Sequence, residues 1–126
     1  MTCSSNTIFS ISRRLVGALT LIALVVTPAL GGESRVEALR RQAAAALARH
    51  DPIAAEVPLR AAIRDGVSAD ALRAALGQAL LARGERTEAR KVLYGGGYSP
   101  DTAAVGWRIK GQLELIDGNL PLAARA

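Results

Sequence analysis

Aromatic side chains, cysteine and histidine are scarce in this chain. One Trp, two Tyr and one Phe amount to 3% of 126 residues, too few for a sheet sandwich, whose interior draws on aromatic and β-branched residues. Half of the chain is nevertheless apolar, and a surplus of Ala and Leu suits close-packed helices, so the expected class is all-α. The only cysteine, Cys3, lies in the N-terminal stretch. A part exported without that stretch has no disulfide, no zinc knuckle and no thiol nucleophile. The only histidine, His50, stands beside Asp51 as an oriented base would. No Ser or Cys signature accompanies it, and Asp51 is better explained as a helix N-cap. The glycine run in Tyr94-Gly95-Gly96-Gly97-Tyr98 lacks the Lys-Ser or Lys-Thr and the preceding strand of a phosphate cradle, so a flexible loop is expected. No catalytic, metal-binding or cofactor-binding residue is assigned, and the chain reads as a non-enzyme.

Charge of one sign in clusters is also missing. The net charge is +5 and the pI about 10.3, values compatible with nucleic acid or an anionic surface. The arginines from Arg35 to Arg90 alternate with Glu37, Asp51, Glu56, Asp65, Asp70, Glu85 and Glu88, which is how solvated helix faces look. Nucleic acid is therefore not an expected partner.

The stretch 1–31 reads as a targeting segment. Arg13 and Arg14 precede an apolar run from Leu15 to Val26, and Thr27-Pro28-Ala29-Leu30-Gly31-Gly32 follows as a mostly small-residue exit, the order of a secretory signal. Two readings stand: a cleaved signal, or an uncleaved anchor using residues 15–30, slightly short of the roughly 20 residues that span a bilayer. Either places the remainder outside the cytoplasm, periplasmic or extracytoplasmic, because the arginines hold the start of the run inside. The Arg13-Arg14 pair leaves open whether export is general or twin-arginine.

What the chain has is a period. Ala55, Ala89 and Ala123 lie 34 apart, Gly77-Gln78 returns as Gly111-Gln112, Gly84 as Gly118, and Leu59 as Leu93. Helix signals fall between these anchors. Ser34 and Glu37 form a capping-box pattern before a helix expected over 35–49. Asp51-Pro52 opens a second helix to about Asp65, in which Pro58 predicts a kink or an early break. Ser68 opens a third, ended by Gly84, and a fourth is expected over 85–93. Ser99-Pro100-Asp101 repeats the cap-plus-proline signal for a fifth, and Asn119 caps a sixth.

Paired helices repeating at this period, with small residues at these places, resemble the tetratricopeptide repeat, whose pattern has Trp, Leu, Gly and Tyr in helix A and Ala, Phe, Ala and Pro in helix B. Leu39, Ala55, Leu59 and Ala62 fit it in the first unit. Leu76, Gly77, Leu80, Gly84, Ala89 and Leu93 fit it in the second, and Trp107, Gly111, Gly118 and Ala123 in the third. The chain departs from the pattern at Lys110 for Leu, Glu114 for Tyr and Gly96 for Ala, and Pro100 is off by one. The resemblance implies an α-solenoid of antiparallel hairpins with about two and a half repeats: 36–69, 70–103 and an incomplete 104–126. It makes Trp107 a packing residue, along with Ala55, Leu59, Leu76, Gly77, Ala89, Leu93, Gly111 and Ala123.

In this family helix A lines a binding groove, which implies Arg40, Gln78, Arg108 and Gln112 as partner contacts. Gln78 and Gln112, one period apart, suit an extended peptide backbone, and the arginines suit its carboxylates. The Lys and Asn set of the family's two-carboxylate clamp is not reproduced. The expected function is a non-enzymatic protein-protein interaction scaffold of the cell envelope, binding other envelope proteins or extended peptides without a cofactor. The alternative is that these repeats front a longer envelope enzyme, a protease or polysaccharide-modifying protein, since the third unit stops before its second helix is complete.

Overall fold

The computed structural model describes residues 34–126, so the expected leader lies outside the described residues. Six helices follow one another: α1 (Arg35–Ala48), α2 (Pro52–Arg64), α3 (Ala69–Ala82), α4 (Arg86–Tyr94), α5 (Ala103–Ile116) and α6 (Leu120–Ala123). No strand occurs among the described residues. None of these helices is long and apolar enough to cross a membrane.

The period is present in the backbone. Helices α1, α3 and α5 start at 35, 69 and 103 and end at 48, 82 and 116, so both ends recur at the period of the sequence; α2, α4 and α6 start at 52, 86 and 120. The three hairpin turns are built alike. The amides of Asp51, Glu85 and Asn119 donate to the carbonyls of Ala46, Leu80 and Glu114 at 3.0, 2.9 and 2.7 Å. Those of His50, Gly84 and Gly118 donate to Leu47, Leu81 and Leu115 at 2.9, 2.9 and 3.1 Å. These are the paired bonds of a Schellman motif, which needs a left-handed residue at its centre. Gly84 and Gly118 supply it with φ of 82° and 76°, and His50 adopts the same region at 59°. A histidine has a Cβ where the other two turns have none, so the first turn carries a strain the others avoid.

Local capping starts the helices. Ser34 Oγ accepts from the Glu37 amide at 3.2 Å, and the Glu37 carboxylate accepts from the Ser34 amide at 3.1 Å, closing the capping box. Asp51 accepts from the Ala54 amide at 2.9 Å, with Pro52 at the first helical position. The kink or early break expected at Pro58 does not end α2, which runs on to Arg64. Ala55, Leu59 and Ala62 are buried on both sides of the proline, and their packing outweighs one lost hydrogen bond.

Packing follows a simple order. Helix α3 touches α1 and α5 as well as its partner α4, whereas α2 and α4 do not touch each other. The odd-numbered helices form a continuous row, and α2 and α4 sit in the notches between successive members of it. The core is Ala and Leu with one Ile: Ala43, Ala46, Ala55, Leu59, Ala62, Leu72, Ala74, Leu76, Ala79, Leu80, Ala89, Leu93, Ile109 and Leu113. A Cβ on Gly77 would overlap the Leu93 side chain, so α3 and α4 approach through the missing atom. At Gly111 an added Cβ would meet only the Ala123 carbonyl and the Ala126 Cβ, both at 3.4 Å.

Ion pairs join the notches. Glu56 on α2 is bonded to Arg83 at the end of α3 and to Arg60 at 2.6 Å. One period on, Arg90 on α4 bonds Asp117 at the end of α5 at 2.8 Å. The same two positions carry the same contact with the charges exchanged.

Two further expectations are corrected by the third hairpin and the loop before it. Helix α5 does not begin at Ser99-Pro100-Asp101 but at Ala103, because those residues close a turn in which the Thr102 amide donates to the Ser99 carbonyl at 2.9 Å. Asn119 does not cap α6 with its side chain; its amide group donates to Glu114 at 2.9 Å. The loop at 95–97 is contacted by the Arg73 guanidinium, which donates to the carbonyl of Gly97 at 2.8 Å and to that of Val92 in α4 at 2.9 Å. A Cβ on Gly96 would meet the end of that guanidinium, which would have to shift.

Candidate partner-binding surface

The row of odd-numbered helices presents the same register positions one period apart, so side chains there form rungs. Gln78 on α3 is half-buried, and its counterpart Gln112 on α5 is exposed. Arg108 is also exposed, and no hydrogen bond or ion pair involves it among the described residues. Leu47, Leu81 and Leu115 share a third register position; the first two are half-buried and the third is exposed. Leu47 and Leu81 pack against the core, so the exposed members of the set are Leu115, Gln112 and Arg108, all on α5. Arg40, expected in the same set, is instead bound to Asp101 at 2.6 Å. Its guanidinium is already neutralised by the turn before α5, and a ligand carboxylate would have to displace Asp101.

Among the positions singled out for packing, Ala55, Leu59, Leu76, Gly77, Ala89 and Leu93 are buried, while Gly111 and Ala123 are half-buried. Trp107 is not in the core: it is 45% exposed. The expectation fails because the space beside the ring is filled by polar groups. Tyr98 meets it edge-on at 6.0 Å between centroids, and the Lys110 ammonium lies 4.4 Å from its centroid, so no apolar layer closes over the indole.

Beneath this cluster lies a buried polar network. Glu114 is fully buried. It accepts from both Arg90 guanidinium nitrogens at 2.6 and 3.1 Å, from the Tyr94 hydroxyl at 2.7 Å and from the Asn119 amide at 2.9 Å. Every lone-pair direction of the carboxylate is met, which is the condition for burying a charge. The Arg90 hydrogen bonds, opposed by burial, hold the Glu114 carboxyl down to about 2. The Tyr94 hydroxyl is pushed up by burial and by its bond to Glu114. Burial pushes the Lys110 ammonium down, with Arg73 adding repulsion.

Sequence reasoning finds Lys110 and Glu114 only as departures from a pattern. The signal that points to the cluster is composition: three aromatic residues fall within 94–107 in a chain that has four in all. A shallow cleft between α2 and α3, lined by Val57, Arg60, Ile63, Arg64 and Leu76, offers apolar walls and two guanidinium groups but no nucleophile or carboxylate. Among the described residues no group of His, Cys, Asp and Glu could hold a metal ion. His50 is exposed at its turn. No family model matches the chain, and no curated protein or solved structure matches it either.

Proposed function

We propose that this chain is a non-enzymatic interaction scaffold of the cell envelope: a short solenoid of tetratricopeptide-like hairpins, exported by its N-terminal leader, that holds other proteins or extended peptides against the row formed by α1, α3 and α5. One observation carries the reading. Helix ends recur at a fixed period, and α3 touches both α1 and α5 while α2 and α4 stay apart. A row of that kind leaves one helix face per hairpin free of the core, which is where stacked hairpins bind. The rungs fit an extended segment. Gln78 and Gln112 offer both donors and acceptors to a peptide backbone, the exposed Leu115 takes an apolar side chain, and Arg108 takes a carboxylate.

The test is capture from an envelope extract by the mature protein and by a variant with Gln78→Ala, Arg108→Ala and Gln112→Ala, with far-UV circular dichroism to confirm equal helix content. The variant is expected to lose partners that the parent retains. Retention of every partner by a folded variant rejects this face as the binding surface. Fractionation with N-terminal sequencing checks the export part of the reading, and recovery of the protein in the cytoplasm with Met1 in place overturns it.

A further inference from the structure

All three aromatic side chains of the described residues surround one cation. The Lys110 ammonium lies 4.1 Å from the Tyr94 ring centroid, 4.4 Å from that of Trp107 and 5.7 Å from that of Tyr98. Trp107 and Lys110 are one turn apart on α5, Tyr94 ends α4, and Tyr98 closes the side with its hydroxyl donating to the Leu93 carbonyl at 2.9 Å. A Cβ on Gly106 would overlap the Tyr98 ring, so the glycine lets that ring lie against α5. The box is therefore held by both helices and by the loop that Arg73 pins.

The electrostatics of the box are incomplete. Its cation has no carboxylate within ion-pair distance among the described residues and makes no hydrogen bond there. Glu114, one turn further on, is fully engaged by Arg90, Tyr94 and Asn119. Lys110 is only 8% exposed, yet its ammonium is not wholly sealed, since no described side-chain nitrogen or oxygen is both fully buried and without a hydrogen-bond partner. The rings beside it are open too, Tyr94 at 47% and Trp107 at 45% exposed. Exposed Trp and Tyr rings are among the side chains that contribute most to binding energy at protein interfaces. A lysine already largely withdrawn from water gains more from an added anion than a solvated one does.

We propose that Lys110, Tyr94 and Trp107 form a docking site for an acidic peptide segment of a partner protein, whose carboxylate pairs with the Lys110 ammonium while its flanking aliphatic side chains cover the two rings. Charge complementarity selects this occupant over an anionic membrane. A membrane surface is held by several unpaired cations at once, whereas here Arg90 is tied to Glu114 and Asp117 and Arg73 to Asp70, which leaves Arg108, among the described residues, as the one unpaired guanidinium on α5. This site is separate from the Gln78 and Gln112 rungs and stands or falls without them.

Trp107 is the only tryptophan of the chain, so its emission reports on the site directly. The full chain is titrated with a short peptide alternating Glu and Leu, with the same peptide carrying Gln for Glu, and with phosphatidylglycerol vesicles. The Glu peptide is expected to give a saturable blue shift, weakened by added salt, and the Gln peptide to bind about tenfold more weakly or worse. In Lys110→Gln the preference for Glu disappears, in Lys110→Arg it persists, and in Gln78→Ala with Gln112→Ala it is unchanged. Equal binding of the two peptides to the parent protein overturns the proposal without recourse to any variant. So does a Glu preference that survives in Lys110→Gln, a failure of the Glu peptide to shift the emission, or a response to the vesicles alone.

Discussion

Glu56 is bonded to Arg83 across the notch between α2 and α3, and one period later the same positions hold Arg90 and Asp117 with the polarity reversed. Burial would raise the Glu56 carboxyl, but its hydrogen bonds to Arg83 and Arg60 outweigh that and hold it below the ordinary carboxylate value. If the notch needs one pair of opposite charges and is indifferent to their order, Glu56→Arg alone should lower stability by about 1 to 2 kcal/mol. Adding Arg83→Asp should restore most of it. Urea unfolding of the two single variants and the double variant measures this, and purely additive losses would reject the relationship.

His50 sits in the left-handed region where the equivalent turns have glycine. Relieving that strain with His50→Gly should raise stability by about 1 kcal/mol, less the entropy that glycine adds to the unfolded chain. Thermal unfolding checks it. An unchanged or lower midpoint would mean that the imidazole makes contacts that repay its backbone geometry.

Gly77 and Gly111 occupy one position of the period yet have different neighbours. Gly77→Ala drives a methyl into Leu93 and should cost about 1 to 3 kcal/mol. Gly111→Ala meets contacts no closer than 3.4 Å and should be neutral or gain up to about 1 kcal/mol from helix propensity. Denaturant midpoints of the two variants should therefore move apart.

The Glu114 carboxyl is held down to about 2 by Arg90 from an ordinary value near 4.5. A carboxyl lowered in the folded state stabilises the fold above its unfolded value and loses that contribution as pH falls through the folded one. Stability should thus decline between pH 4.5 and about 2, by about 2 kcal/mol after allowing for the partial exposure of Arg90. In Glu114→Gln that decline should shrink, while stability at neutral pH drops. An identical acid profile in the variant would show that another carboxylate governs the transition.

Much of the architecture is legible because it is written in local signals. Ser34 with Glu37, Asp51 with Pro52, and the glycines at 66, 84 and 118 mark helix ends within one turn of the chain, and the regular spacing of small residues sets the register of the hairpins. The site is less legible because it depends on residues brought together from afar. Glu114 reads only as a departure from the repeat pattern until Arg90, 24 residues earlier, and Asn119 converge on it. The resemblance to the repeat family implies Trp107 as core, but α4 gives way to the triglycine loop after nine residues, and Tyr98 and Lys110 lie against its ring in place of an apolar layer. Arg40 reads as a ligand contact because no local sign shows that Asp101, 61 residues on, takes it.

Partners held against the row of α1, α3 and α5 should be within reach of one of its side chains and out of reach of the opposite face. The most direct test places a photo-crosslinking amino acid at Gln112 on α5 or at the exposed Ile53 on α2, in the full chain expressed in cells. Covalent adducts to other proteins are expected from position 112 and not from 53. No adduct from 112, or the same adducts from both positions, would contradict that placement.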